Sequence, residues 1–390
     1  MKDATGAGTG NAGAVRGAER KLVLLVNGLH AKSGGGVTYL ANVLPLIAAE
    51  PDVDVHLCLH RDQQNLSLGG GDSVQRHVFD FPTGFWRLLI REQIEVPRLA
   101  RRINADVVIS PANYGPLTAR HSVILLRNAL DVAGVERRPL KAAYWVLLKW
   151  ATATSLRTCR RAIAVSEYAA RAASGPVSER VRRRITIVPH GVGPPFSPPS
   201  SETDREPFVL AVSDIYVQKN LSTLVHAFAS LAGERPELSL KIAGRPVDED
   251  YFASLRRTVS DLNLDGRVNF LGHVETEDLA ELYRRCTVFV FPSTVETFGN
   301  PLLEAMASGA AIACSNAAAM PEVAGNAAAM FDPSDPDAMA SAIAQLLDDP
   351  DLAGEFRQRA AERAGAFTWP NTAARTVEVL REAAGRVDDR

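Results

Sequence analysis

The segment FPSTVETFGNPLLEAMASG, residues 291–309, carries the strongest local pattern in this chain. It predicts a strand that ends at Ser293, a tight turn, and a helix that begins near Pro301. Proline fits the first helical position because its missing N–H would have no partner there, and Asn300 can cap the same helix. The amides at such a helix start lack partners within the helix, and the helix dipole favours an anion beside them. The segment therefore predicts an anion site, suited to a diphosphate, where a strand passes into a helix.

Two acidic residues stand in this segment, eight positions apart. Glu304 lies one turn inside the helix, where a carboxylate can accept hydrogen bonds from both hydroxyls of a ribose. Glu296 precedes the helix and can reach a sugar hydroxyl. Glu304 can also be interpreted simply as a favourable acid in a first helical turn. The strand end, the Gly-Asn-Pro start and both acids together favour a nucleotide-sugar site.

Strand and helix patterns alternate outward from this segment in both directions. Such alternation predicts an α/β fold with two Rossmann-like domains in tandem, facing across a cleft. Ligands of parallel sheets bind beyond the carboxyl ends of the strands, so we expect the chemistry in the loops there. The predicted strands cover residues 21–28, 53–60, 106–111, 122–128, 162–166, 185–192, 208–213, 238–244, 268–272, 288–293 and 310–315.

The length of 390 residues suits two domains better than one. Residues 193–207 are rich in proline, serine and charge, which is typical of a linker. The sequence therefore predicts the following division: a disordered tail at 1–19, an N-terminal acceptor-binding domain at 20–192, the linker, a C-terminal nucleotide-sugar-binding domain at 208–370, and a last helix at 371–390 that packs back towards the N-terminal domain.

Charge is unevenly distributed along the chain. Residues 1–195 hold 26 Lys and Arg against 15 Asp and Glu, whereas residues 196–390 hold 17 against 30. A basic domain indicates an anionic partner, and we expect peripheral membrane contact through it; a solvated basic face is the alternative. Nucleic acid is not expected, because no recognition motif accompanies the basic residues.

The four cysteines form no C-x-x-C pair and have apolar neighbours, which predicts buried reduced thiols. No apolar stretch approaches the ~18–20 residues of a membrane helix, and the N-terminus lacks an apolar signal core. We therefore expect a cytoplasmic protein; peripheral attachment at the inner membrane face is the alternative.

Two glycine-rich motifs need separate treatment. GTGNAG at 8–13 matches a dinucleotide fingerprint in letters only, because it precedes the first strand instead of following it. This excludes a simple NAD-dependent dehydrogenase. SGGG at 33–36 follows the first strand, where it is either a ligand-binding loop or a flexible loop.

The spacing of Glu, seven residues and Glu around a Phe-Gly turn resembles the signature of the family 4 retaining glycosyltransferases, which have the GT-B fold. The resemblance covers about residues 20–370 and follows the family's order. It continues in VSEYAARAA (165–173), VPHGV (188–192), VQKNLSTLVHAFASL (217–231), LGHVETEDLAELYRRC (271–286) and MPEVAGNAAAMFDPSDPDAMASAI (320–343).

The resemblance implies roles for the residues that match. Lys219 would bind the donor diphosphate as a point charge, Glu304 the ribose, and Glu296 the transferred sugar. No cofactor or bound metal is implied, since amides and basic side chains neutralise the leaving diphosphate. The remaining implied donor-binding positions are Gly35, Gly36, Gly244, Arg245, Val274, Phe298, Gly299, Asn300 and Leu302.

The chain departs from the family pattern at two places. Ser213 and Asp214 stand where many members have Gly-Arg, so one cation is missing unless Arg245 replaces it. Arg127-Asn128 stands where many members have His-Asp. Arg127 could contact phosphate or acceptor and is a candidate catalytic residue with Glu296 and Lys219, but it cannot act as a base at neutral pH.

The sequence thus favours transfer of a hexose, with retention, from a UDP- or GDP-sugar to a hydroxyl acceptor: a glycan, a lipid-linked intermediate or a natural-product aglycone. Two alternatives remain. One is another GT-B enzyme, a nucleotide-sugar epimerase or a phosphorylase. The other is a sugar-nucleotide-binding pseudoenzyme, which the changes at Asp214 and Arg127 favour and the intact Lys219, Glu296 and Glu304 oppose.

Overall fold

The computed structural model describes residues 20–386, with gaps at 33, 83, 129–138, 175–178 and 200–203. The predicted disordered tail at 1–19 and the motif at 8–13 lie outside the described residues. So does Ser33 of the glycine-rich loop.

The N-terminal half forms a seven-stranded sheet in the order β3-β2-β1-β4-β5-β6-β7, and its strand pairs are parallel. Its strands are β1 Leu22–Asn27, β2 Val53–His60, β3 Val74–Phe79, β4 Val107–Ser110, β5 Ser122–Leu126, β6 Arg161–Ala164 and β7 Ile185–Ile187. The helices of this half are α1 Gly35–Ala48, α2 Phe85–Arg102, α3 Pro139–Thr158, α4 Glu167–Ser174 and α5 Glu179–Arg182.

The C-terminal half forms a six-stranded parallel sheet in the order β10-β9-β8-β11-β12-β13. Its strands are β8 Glu206–Val212, β9 Ser239–Ala243, β10 Val268–Gly272, β11 Cys286–Phe291, β12 Ile312–Ser315 and β13 Ala329–Phe331. Its helices are α6 Leu221–Glu234, α7 Glu249–Asp261, α8 Thr276–Arg285, α9 Asn300–Ala307, α10 Met320–Ala324, α11 Pro336–Asp348 and α12 Pro350–Ala364, and the described chain then enters α13 Trp369–Ala384.

The predicted α/β architecture of two Rossmann-like sheets is confirmed. The prediction missed β3 and α2, because β3 is an edge strand whose residues are mostly exposed and so lack a buried-strand pattern. It also missed the three-residue β13 and extended the strand at 185–192 too far. That strand ends at Ile187, shortly before Pro189, which has no N–H to donate to a sheet.

Helix α13 lies against the first domain although it follows the second domain in sequence. The hydroxyls of Tyr39 in α1 and Thr376 in α13 are 3.1 Å apart, and Arg381 donates to both carboxylate oxygens of Asp52 at 2.9 and 2.8 Å. The chain crosses between domains at two adjacent places, because Val192 pairs with Thr368 in an isolated bridge. The first domain is therefore completed by the last helix.

All four cysteines are buried and reduced, as the sequence predicts. Among the helices that the structure describes, none is long and apolar enough to span a membrane.

Candidate active site

The turn between β11 and α9 holds the centre of the site. Gly299 has a φ of 86°, and a Cβ there would stand 3.0 Å from Cε1 of Phe291 at the end of the strand. Only glycine combines this backbone angle with this closeness at low cost. The Phe-Gly-Asn turn is thereby fixed by the packing of β11 beneath it.

Three consecutive backbone amides in this turn have no hydrogen-bond acceptor among the residues that the structure describes. The N–H groups of Phe298, Gly299 and Asn300 donate no hydrogen bond within the described part of the chain. The amide of Leu302 is already used, since it donates to the carbonyl of Gly299 at 3.0 Å. The side chains of Phe298 and Leu302 are buried. The unbonded amides are therefore the groups of this segment that can bind an anion, as predicted for 298–300.

Lys219 forms an ion pair with Glu296, which precedes these amides by two residues. The lysine is only 8% exposed, and its Nζ lies 5.3 Å from the ring centre of Tyr216 and 5.9 Å from that of Phe291. Burial acts to lower the Lys219 pKa, but the charge and hydrogen bond of Glu296 outweigh it, and the pKa is raised. The site thus contains one firmly protonated lysine beside a carboxylate.

Glu304 lies deeper, at the edge of an interdomain cavity of about 330 Å³. Its Oε2 accepts a hydrogen bond from the Tyr283 hydroxyl at 3.2 Å. Burial raises the pKa of Glu304 to about 7, although the Tyr283 hydrogen bond acts in the opposite direction. The cavity is also lined by α1, the 191–196 segment and the start of α8, so both domains enclose the space before this carboxyl group.

Arg127 forms part of the opposite wall, on the first domain. Its Nε donates to the carbonyl of Pro111 at 2.7 Å, and a Cβ at Gly36 would lie 2.5 Å from one of its Nη atoms. Among the described residues, no carboxylate lies within ion-pair distance of its guanidinium. Burial lowers the pKa of Arg127 to about 10, so it stays charged at neutral pH. A side chain at position 36 would displace this guanidinium.

Gly35 approaches the second domain from the same loop. A Cβ at Gly35 would stand 3.8 Å from Nδ2 of Asn300 and 3.9 Å from Nη1 of Arg127. The fold therefore brings Gly35, Gly36, Arg127 and Asn300 together across the cleft, although they are far apart in sequence.

The predicted residues at the outer end of the site have different roles. Arg245 is half-exposed and binds Asp214, with Nη2 and Oδ2 3.2 Å apart, and this contact raises the Arg245 pKa. Its charge is thus offset by the same aspartate that replaces the family's arginine. Gly244 has a φ of 147°, and a Cβ there would overlap the carbonyl of Ser213. Val274 is half-buried just after β10. Donor contact by these residues stays a prediction.

Thr297 ties the two domains together directly beside Glu296. Its Oγ1 donates to the carbonyl of Arg127 at 2.6 Å, and its own carbonyl accepts from Oγ of Ser166 at 2.5 Å. Asn300 Oδ1 lies 2.9 Å from Nδ1 of His190, a buried ring whose pKa burial lowers to about 4. Sequence reasoning missed Thr297 and Ser166 because no local pattern marks hydroxyls that pair over such distances.

Glu322 forms a second contact between the domains. Its carboxylate accepts from the amides of Glu167 and Tyr168, at 2.8 and 3.2 Å, in the first turn of α4. The backbone carbonyls of Glu322 and Val323 are in turn held by Arg363. A carboxylate of the second domain thus caps a helix of the first.

The described residues contain no group of three or more His, Cys, Asp or Glu placed to hold a metal ion. Metal independence stays a prediction.

Comparison of the whole fold defines the class of protein. The chain superposes on sucrose-phosphate synthase from Thermosynechococcus elongatus with a TM-score of 0.77, over 94% of this chain and 100% of that one, at 19% identity. At this identity the likeness shows the fold alone, and that fold is GT-B.

The sequence of the second domain resembles a known family. Residues 195–364 match the family model of the glycosyl transferases group 1. The chain is 34% identical over 176 residues to O-antigen chain mannosyltransferase B of Escherichia coli, covering 45% of each protein. It is 32% identical over 212 residues to the MMP alpha-(1->4)-mannosyltransferase of Mycolicibacterium hassiacum, covering 52% of this chain and 50% of that one. The C-terminal domain is thus similar to the glycosyl transferases group 1, and the chain spans about half the length of these two relatives.

Proposed function

We propose that this protein is a retaining hexosyltransferase that uses a nucleotide-diphosphate sugar as donor. The observation that carries the proposal is the junction of Lys219, Glu296 and the three unbonded amides at 298–300. One buried cation and three unbonded N–H groups suit a diphosphate, and the neighbouring carboxylate suits a sugar hydroxyl.

The donor would place its diphosphate on the amides of 298–300 and its sugar beside Glu296. Lys219 would then turn from Glu296 to the diphosphate, which releases the carboxylate to accept a sugar hydroxyl. The bond between C1 and the diphosphate oxygen breaks with its electron pair going to the diphosphate. The acceptor oxygen bonds to C1 from the same face, and its proton passes to the departing diphosphate. Lys219, the amides and Arg127 offset the developing negative charge without a metal ion.

The nucleoside would occupy the cavity of about 330 Å³ beside Glu304. An ionised Glu304 can accept from both ribose hydroxyls, as its first-turn position predicts. The base would then lie near the backbone of Val274, next to the start of α8. UDP and GDP remain the two donor nucleotides to test.

The relatives give a first sugar to test. Both curated relatives described above are named as mannosyltransferases. We therefore place mannose first among the hexoses and a glycan hydroxyl first among the acceptors.

We also propose that the N-terminal domain makes peripheral contact with an anionic membrane through α2. Three apolar side chains spaced four residues apart, Trp86, Ile90 and Ile94, are 60%, 59% and 38% exposed on this helix. Arginines stand beside them in the sequence RLLIREQIEVPR, 87–98. An exposed apolar stripe flanked by arginines is typical of helices that lie in a membrane interface.

The decisive experiment is a donor panel. The protein is incubated with UDP-, GDP- and dTDP-linked mannose, glucose and galactose, with and without EDTA and with methyl mannoside as acceptor, and nucleotide release is followed. We expect release from one nucleotide class, insensitive to EDTA, with an α-linked product. Lys219→Ala should lower turnover by about 100-fold or more, because it removes a charge that stabilises the transition state.

Lys241→Ala is the matched control, since Lys241 also pairs with a glutamate, Glu206, at 3.2 Å, but from the middle of β9. Equal turnover in both variants would contradict the proposed role of Lys219. A rearranged sugar nucleotide without transfer would favour an epimerase, and phosphate-dependent cleavage would favour a phosphorylase. Donor binding without turnover on any acceptor would favour a pseudoenzyme.

A further inference from the structure

A buried polar cluster lies in the first domain, outside the donor site. Glu92 of α2 is completely buried, and its Oε1 accepts from Nδ2 of Asn27 at 2.6 Å. Its Oε2 lies 3.0 Å from Nε2 of His30. The same Asn27 amide donates to Oγ of Ser110 at 3.0 Å. A fully buried carboxylate is costly unless it is paired, so this arrangement calls for an explanation beyond packing.

The cluster continues from His30 to Tyr114. The Tyr114 hydroxyl lies 3.2 Å from Nδ1 of His30, and the two rings meet edge to face with centroids 4.8 Å apart. Tyr114 is 8% exposed, and burial, with the charges of Glu92 and Tyr144, raises its pKa, so the phenol is protonated at neutral pH. The three side chains form one chain, from Glu92 through His30 to Tyr114.

The cluster stands at the edge of the sheet that faces the cleft. Asn27 and Ser110 are the last residues of β1 and β4, and Tyr114 lies in the loop that follows β4. Asn113, the neighbour of Tyr114, accepts from the amides of Arg127 and Asn128 at 3.0 and 2.8 Å. The backbone carbonyl of Arg127 binds Thr297, the neighbour of Glu296, at 2.6 Å. Tyr114 therefore lies in the first-domain loop that adjoins the contact with the 296–297 segment.

The carboxylate of Glu92 determines which atoms donate and which accept along the row from Glu92 through His30 to Tyr114. Nε2 of His30 and Oε2 of Glu92 are buried and 3.0 Å apart, but they are not aligned as a hydrogen bond. Because a carboxylate only accepts, a hydrogen on Nε2 suits this close approach. Nδ1 then accepts from the Tyr114 hydroxyl. The Tyr114 oxygen retains a lone pair for a group that donates, and a sugar hydroxyl is such a group.

Tyr144 adds an apolar surface to the same place. It stands on α3, is 42% exposed, and lies one turn before Leu148, which packs against Tyr114. A half-exposed aromatic face beside a hydrogen-bond acceptor suits a sugar ring, which has an apolar face and hydroxyls at its edge.

We propose that Tyr114 and Tyr144 form the acceptor subsite and that it takes a saccharide hydroxyl. In this subsite Tyr114 contacts the acceptor hydroxyl, Tyr144 lies under the acceptor ring, and His30 and Glu92 are positioning residues that fix the Tyr114 hydroxyl. The inference rests on the proposed transferase function and names the acceptor class for it.

The test separates acceptor binding from donor binding. Tyr114→Phe removes one hydroxyl, and we expect it to raise the KM for a mannoside acceptor by about fivefold to tenfold. Donor affinity and slow donor hydrolysis without acceptor should change less than twofold. Glu92→Gln should also raise the acceptor KM selectively. Tyr251→Phe is the matched control, because Tyr251 is half-buried and its hydroxyl accepts from the amide of Ser222 at 3.1 Å in the second domain.

The aromatic face is tested with Tyr144→Phe and Tyr144→Leu. The first should bind acceptor normally, and the second should raise the acceptor KM. An unchanged acceptor KM in Tyr114→Phe, or equal loss of donor and acceptor binding, would overturn the inference. So would equal use of a simple alkyl alcohol as acceptor.

A binding measurement keeps this inference distinct from the proposed function. Saturation-transfer NMR with methyl α-mannoside and a mannose disaccharide, in the presence of GDP or UDP, needs no turnover. Saccharide signals that are lost in Tyr114→Phe would support the subsite even if no donor reacts, in which case only the transferase proposal fails. No saccharide signal in the wild-type chain, with nucleotide bound, would overturn the subsite.

Discussion

The carboxyl group of Glu304 has an unusually high pKa for a glutamate. Burial raises this pKa to about 7, from an ordinary value of 4.5. The unfolded chain ionises near the ordinary value and the folded chain only near 7. Folding stability from this group is therefore highest below pH 4.5 and falls as the pH rises to 7, by at most about 3 kcal/mol. At neutral pH the buried Glu304 therefore lowers the free energy of unfolding, but it leaves a carboxyl group that a bound ligand can ionise.

We expect donor affinity to increase between pH 6 and pH 8, because the ribose hydroxyls donate to the ionised form. Glu304→Gln should abolish this pH dependence and weaken binding at pH 8 by about 10-fold. It should also raise the free energy of unfolding at pH 8 more than at pH 5. Calorimetric titration with GDP and UDP, and urea unfolding at both pH values, provide the measurements.

Glu378→Gln is the control, since Glu378 is exposed on α13. A wild-type affinity that stays flat from pH 6 to 8 would contradict the role assigned to Glu304.

Local pattern predicted the turn and the helix start near Pro301, because near neighbours govern both. The predicted Asn300 cap was wrong: Gly299 holds the cap position without a side-chain hydrogen bond, and Oδ1 of Asn300 instead lies 2.9 Å from Nδ1 of His190. The partners of Lys219 and Arg127 could not be predicted, because ion pairs and hydrogen bonds across the cleft leave no mark in the sequence. The same holds for Glu92, which looks like one more polar residue of a helix.

Among the helices and strands, α2 is notable because it leaves several large apolar side chains exposed to solvent. It packs one side against the sheet through Val96 and Leu99, and leaves Trp86, Ile90 and Ile94 exposed. The sequence analysis did not predict this helix, since the strand before it is exposed and its apolar residues lie on two sides of the helix. Continuously apolar segments such as β11 were predicted because both faces of their sheet are covered.

The double variant Trp86→Ser, Ile90→Ser should bind vesicles containing anionic phospholipid at least about 10-fold more weakly than the wild type, because it removes the apolar area that enters the interface. Co-sedimentation with vesicles of phosphatidylglycerol and phosphatidylethanolamine measures the binding. Salt at 0.5 M should weaken binding by the wild type, since arginines contribute.

Val247→Ser, Leu271→Ser is the matched control, as these apolar side chains are 60% and 37% exposed on the second domain. Membrane contact through α2 is refuted by wild-type binding that does not depend on anionic lipid, or by equal binding of the two double variants.

At the scale of the whole molecule, the two domains are held by polar contacts around the cleft. Glu322 caps α4, Thr297 binds Arg127, and Asn300 binds His190. These contacts involve the loops that flank the donor site. Binding of donor and the relative position of the domains should therefore be linked.

Glu322→Ala should loosen the domains, because it leaves the two first-turn amides of α4 without their carboxylate, at a cost of about 1 kcal/mol. We expect a larger radius of gyration in small-angle scattering and its recovery when GDP or UDP is added.

Asp349→Ala removes a comparable cap, one that accepts from Leu352 at 2.9 Å within the second domain. It should lower the melting temperature without changing the radius of gyration. Identical scattering from wild type and Glu322→Ala would show that this contact does not hold the domains.

The return of α13 to the first domain has a consequence for synthesis of the protein. Tyr39, Val43 and their neighbours on α1 are covered by a helix that leaves the ribosome more than 300 residues later. The apolar face of α1 therefore stays uncovered until α13 has been synthesised, which happens only after the entire second domain. The nascent first domain is therefore a natural client for chaperones, and a stop codon after the second domain would leave the first one permanently unfinished.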